Sequence, residues 1–100
     1  MLDVNEVRRK YPHPKSVTNP DSRLEDYCVL GAVLKFLFDE EMYGFPCPAV
    51  AAAHLQIPEA MALLIAHAND SEDFEKAWTI LGGELKRAEA AAEEREEVLV

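Results

Sequence analysis

Apolar residues run almost unbroken through YCVLGAVL, residues 27–34, and Phe36, Leu37 and Phe38 prolong the run. A helix that is apolar on every side is a central, buried one. The pattern predicts such a helix over residues 24–42, opened by Ser22 and Glu25 as a capping box. Glu25, Cys28, Ala32, Lys35 and Asp39 recur at helical spacing and form its one narrow stripe of small or polar residues. Gly31 costs about 1 kcal/mol relative to alanine inside a helix. The expected gain is close approach by a neighbouring helix.

The other elements follow from the same kind of pattern. Asp3 and Glu6 form a capping box for a short helix over residues 3–10, which Tyr11 and Pro12 end. YPHPKSVTNP, residues 11–20, has three prolines and no apolar period, so it reads as an extended connector with Tyr11 and Val17 as contacts. Gly44 and the Pro46, Cys47, Pro48 run make a turn. Pro48 then opens a helix to about Leu55, and Pro58 opens another to about residue 68. Asn69, Asp70 and Ser71 read as a turn and cap, with Glu72 and Asp73 in the first turn of the last helix. There Phe74, Trp78, Leu81, Leu85, Ala88 and Ala92 form an apolar seam at heptad spacing, which Gly82 and Gly83 interrupt with a kink or a stop. Beyond it, Glu89, Glu93 and Glu97 repeat at i, i+4, and acids sit at the unfavourable end of the helix dipole. That end is expected to fray unless something holds Val98, Leu99 and Val100.

These elements define an all-α domain, a small orthogonal bundle of four to five helices around a central apolar helix. Residues 1–20 are the N-terminal helix and connector, 21–90 the helical core, and 91–100 an acidic tail. A chain of 100 residues can bury one such core without metal or disulfide. Few glycines and many Ala, Leu and Glu residues agree with helix.

Charge narrows the function. The chain carries a formal −9, but residues 1–23 carry +2 and the remainder −11. A surface that acidic repels nucleic-acid phosphates and anionic lipid, and it suits solubility or a basic protein partner. The opening MLDVNEVRRK has no apolar leader-like stretch, and no apolar run approaches the roughly 18 residues that cross a bilayer, so a cytoplasmic location is expected. Cys28 and Cys47 are then expected as thiols, Cys28 as a buried small hydrophobe.

Residues 53–65, AHLQIPEAMALLI, superimpose on a helix-turn-helix. Leu55, Ile57, Ala62 and Ile65 are the packing positions, and Gln56 stands where the turn often has glycine. The reading helix would present Glu59, Ala60, Met61, Leu63 and Leu64, none of which donates a hydrogen bond to a base or a phosphate. The shape of a DNA reader is present and its chemistry is not. His13, His54 and His67 lack the close pairing with cysteine or acid that zinc requires, so they read as surface or capping residues. No glycine-rich loop accompanies Cys28 and no phosphate-binding motif occurs, so no catalytic residue, no metal and no cofactor is assigned.

Cys28, Gly31 and Ala32 make C-x-x-G-A on a helix, followed by Ile65, Asn69 and Asp70, then Phe74, Trp78 and Leu81. Over residues 24–88 this resembles a family of short uncharacterised bacterial and phage proteins that share a C-x-x-G-A helix and an N-D turn before a final helix. The resemblance implies no activity, and it marks Asn69 and Asp70 as the turn to test. The functional expectation is a small acidic helical protein acting by protein–protein interaction, as a homodimer or a subunit in a complex. Its candidate interface is Met61, Leu64, Trp78 and Leu85. A degenerate helix-turn-helix regulator using Arg8, Arg9 and Lys10 is the first alternative, and a small metal-binding or hydrolytic protein the second.

Overall fold

The structure is a computed structural model, and it describes residues 2–16, 26–38 and 44–99, with side chains to residue 93. Among them are five helices and no strand: α1 Val4–Lys10, α2 Val29–Phe38, α3 Pro48–Leu55, α4 Glu59–Asp70 and α5 Phe74–Leu99. The all-α class is as the apolar pattern predicts.

The centre is α2, which packs against each of the other four helices. Val29 through Leu34 are all buried, because a helix with neighbours on every side needs an apolar side chain at every position. Its start differs from the expected one. Asp26, Tyr27 and Cys28 are not helical, so α2 begins at Val29 rather than at residue 24. The expected cap at Ser22 and Glu25 lies outside the described residues, as does Val17. Two other groups serve the first turn. The Gly31 N–H donates to Cys28 Sγ at 3.3 Å, and the Val29 N–H donates to Asn69 Oδ1 at 3.0 Å.

Gly31 does admit a close neighbour, but that neighbour is a loop. A Cβ on Gly31 would stand 1.9 Å from the Gly44 carbonyl oxygen, which accepts the Cys28 N–H at 2.8 Å. Gly44 is pressed in turn against Asp26, where a Cβ would meet the carbonyl oxygen at 1.8 Å. The turn before α3 is thus clamped backbone to backbone onto the start of α2.

Pro48 occupies the first turn of α3, and Gln56 ends it in the left-handed region at φ 58 and ψ 42. Pro58 then caps α4. Ala62, Ile65, Ala68 and Asn69 are the buried face of α4, and α5 lies along it. α4 runs to Asp70, so Asn69 and Asp70 complete its last turn and Ser71 is its C-cap. The chain reverses through Glu72, which has φ 63. The Asp73 N–H donates to the Ala68 carbonyl at 2.9 Å and the Glu72 N–H to the Asn69 carbonyl at 3.0 Å. This is a Schellman termination with glutamate where glycine is usual.

α5 starts at Phe74, with the Asp73 carboxylate accepting the Lys76 N–H at 3.3 Å. Ala77, Trp78, Leu81, Glu84 and Leu85 form its buried side, Ala88 is half-buried, and Ala92 is exposed. Gly82 and Gly83 neither stop nor end the helix, which is continuous to Leu99. Gly82 lies under Val4 of α1, whose Cγ1 would be 3.2 Å from an added Cβ.

A candidate interaction surface on α4

The unit α3, Gln56, Ile57, Pro58, α4 has the bends of a helix-turn-helix. Leu55, Ile57, Ala62 and Ile65, the expected packing residues, are all buried. That leaves Glu59, Ala60, Leu63, Leu64 and His67 exposed, with Met61 half-buried. Leu63 and Leu64 are 52% and 51% exposed, and Val50 on α3 is 47% exposed. A groove of about 500 Å³ runs between the start of α3 and α4, lined by Pro48, Ala60, Leu63, Leu64, Ala66, His67 and Asp70. No lysine, arginine, amide or hydroxyl side chain lines it, and its polar lining, His67 and Asp70, lies toward the end of α4.

Of the four candidate interface residues, Leu64 is on this surface and Met61 is at its edge. Trp78 and Leu85 are corrected: they are 3% and 9% exposed and belong to the chain's own core. Heptad spacing marks a sticky face without saying what covers it, and here the seam of α5 turns inward on α1, α2 and α4. Arg8 closes over Trp78, with its guanidinium carbon 5.8 Å from the ring centroid, and pairs with the Glu75 carboxylate. A groove of about 640 Å³ remains between α1 and α5, along Leu2, Val4, Trp78, Gly82 and Lys86. Leu63 is exposed beside Leu64, outside the i, i+3 row of Ala62 and Ile65, while Ile65, equally apolar in the sequence, is buried.

A second apolar area lies where α2 emerges. Leu37 and Phe38 are 43% and 48% exposed, and the Phe38 ring meets His54 at 5.6 Å between centroids.

Asn69 is buried, and it joins three segments. It accepts the Val29 N–H and donates to the Lys15 carbonyl at 2.9 Å. The neighbouring Asp70 carbonyl accepts the Ser16 hydroxyl at 3.2 Å. The N-D pair is therefore a clasp holding the connector and the start of α2. It does not cap α5, which is the role of Asp73.

Burial pushes the Cys28 thiol up to about 11, against the lowering pull of the Gly31 and Leu30 N–H groups. A thiol held in that form is a poor nucleophile near neutral pH. Both cysteines are free, with Cys28 buried and Cys47 exposed. His13 is exposed in the connector, where its N–H donates to the Tyr27 hydroxyl at 3.2 Å. Among the described residues, no three His, Cys, Asp or Glu side chains come together where they could hold a metal ion. No helix is long and apolar enough to cross a membrane among those residues.

No protein-family model, curated protein or solved structure matches this chain.

Proposed function

We propose that this chain is a small acidic cytoplasmic helical protein that acts by protein–protein interaction, as a homodimer or a subunit in a complex, through the outward face of α4. It assigns the chain no catalytic step and no cofactor. The observation that carries the reading is the pair Leu63 and Leu64, adjacent and half exposed on a helix whose opposite face already supplies the core. Isolated exposed leucines are common, but two neighbours beside an apolar groove are a contact surface. The test is a photo-crosslinking residue at position 64 of the full chain in its own cells, compared with one at the exposed Thr79. Adducts at 64 that vanish in a Leu63→Ser variant support the reading, and no adduct at 64 rejects it.

The left-handed Gln56 turn, with all four packing residues buried, favours a second reading, a regulator built on a degenerate helix-turn-helix. Its base contacts would have to come from Arg8, Arg9 and Lys10, at the end of α1, because α4 offers none. A salt-dependent mobility shift with duplex DNA is the expected sign, and no shift at low salt removes this reading.

A further inference from the structure

We infer that the partner seated on the outward face of α4 is a second copy of this chain, the two α4 helices lying antiparallel about a two-fold axis between Leu63 and Leu64. This rests on the interaction reading above and names its occupant.

The first argument is fit. Ala60, Leu63, Leu64 and His67 are exposed at positions i, i+3, i+4 and i+7 of α4. The spacing of that row is the same in both directions, with Ala60 three residues before Leu63 and His67 three after Leu64. Turned about the axis, each leucine meets its own counterpart. Each His67 ring crosses the second copy's Ala60, the smallest side chain of the row. Large meets small at both ends, so the helices can close to the roughly 8–10 Å at which helices pack. A parallel pair sets histidine on histidine and leaves a gap between the two alanines. Pairing one patch with itself about a two-fold axis also closes the assembly at two chains.

The second argument is charge. The four positions of the row hold no lysine, arginine or acid. Two copies therefore meet there by apolar contact without setting charge on charge. The chain's formal −9 opposes the approach at longer range. Salt screens exposed charges beyond about 10 Å at 0.1 M. Pairing through this row is therefore expected to strengthen as salt rises, the reverse of what attraction to a basic partner would show.

The test is sedimentation equilibrium of the full chain. One helix row per copy is a small contact, so a Kd on the order of 10–100 µM is expected. The mass should rise from 11.2 kDa toward twice that value as protein is raised from about 1 to about 300 µM, and the rise should come earlier in about 0.5 M salt. Leu63→Ser with Leu64→Ser is expected to raise the Kd at least about 10-fold. Ala60→Glu is expected to weaken pairing to a similar degree. Adding His67→Lys to it should restore pairing, because antiparallel copies then set each glutamate against a lysine. Circular dichroism of the variants verifies that they fold. Pairing that the leucine changes leave intact lies elsewhere on the molecule and overturns the inference. Pairing that salt weakens is charge attraction and overturns it too. Failure of His67→Lys to rescue Ala60→Glu rules out the antiparallel arrangement on which the inference stands. A single-chain mass at every concentration also overturns it. In that case a position-64 crosslink to a different protein leaves the interaction reading standing, and the absence of any crosslink removes both.

Discussion

The Asn69 carboxamide accepts the Val29 N–H at 3.0 Å, across 40 residues of sequence, so the last turn of α4 completes the first turn of α2. Its nitrogen donates at the same time to the Lys15 carbonyl. A helix leaves its first N–H groups without internal partners. This one finds a partner only because α4 ends where it does.

Removing the carboxamide strands two backbone groups, and each buried, unsatisfied group costs about 1–3 kcal/mol. Asn69→Ala and Asn69→Leu are each expected to lower stability by about 2–4 kcal/mol in urea unfolding. Leucine has the branched shape of asparagine and somewhat more volume, so it leaves no cavity, and a loss as large as that of alanine points to the missing hydrogen bonds. A wild-type midpoint for Asn69→Leu would assign the position to packing instead.

Two glycines on helices should respond to alanine with opposite signs. Gly83 is exposed and has nothing within 4 Å of an added Cβ. Gly83→Ala is expected to raise stability by up to about 1 kcal/mol, from helix propensity alone. Gly31→Ala gains the same propensity but drives a methyl group into the Gly44 carbonyl, a backbone atom that cannot rotate away. It is expected to lower stability by about 1–3 kcal/mol, with thermal unfolding as the measurement. A stabilised Gly31→Ala would mean that the Gly44 turn is not clamped as described.

What could be read from the sequence follows from the range of the forces involved. Pro12, Pro48 and Pro58 act on their immediate neighbours, and the helix boundaries near them stand close to where they were expected. Leu55, Ile57, Ala62 and Ile65 declared their burial through local spacing. The start of α2 was not legible, because Ser22 and Glu25 have the form of a cap while the actual partners are a sulfur and a side chain 40 residues away. Gly82 and Gly83 looked like a break because propensity is local, whereas Val4 packs over Gly82 from the other end of the chain. Trp78 and Leu64 both looked adhesive. Only the placement of α1 and α2 decides that Trp78 is covered and Leu64 is not.

The junction between α4 and α5 separates two capping assignments. Asp73 accepts the Lys76 N–H, while Ser71 closes α4. Asp73→Ala is expected to cost about 1 kcal/mol, and Ser71→Ala to stay within about 0.5 kcal/mol. Glu72 holds φ 63, where a side chain is strained, so Glu72→Gly should raise stability by a few tenths of a kcal/mol or more. Urea midpoints of the three variants check the junction. A larger loss at Ser71 than at Asp73 would return the cap to the position first read from sequence.

Cys28 should make the fold weaken in alkali. Its thiol titrates at about 11 in the folded chain, raised by burial from 9.0. Below pH 9 both states hold the proton and the group contributes no slope. Between 9 and 11 the unfolded chain releases the proton while the folded chain keeps it, so rising pH favours unfolding, by up to about 1.4 kcal/mol per pH unit. The informative quantity is the difference from Cys28→Ser, which keeps a hydrogen-bond acceptor at the cap and has no such proton to lose. Urea midpoints from pH 8 to pH 11 are expected to converge as the wild type loses stability relative to the variant. Thiol labelling gives an independent check: at pH 8 Cys47 should react at once, and Cys28 only at the rate at which the chain opens. Parallel pH curves together with prompt labelling of Cys28 would place the sulfur at the surface and remove it from the first turn of α2.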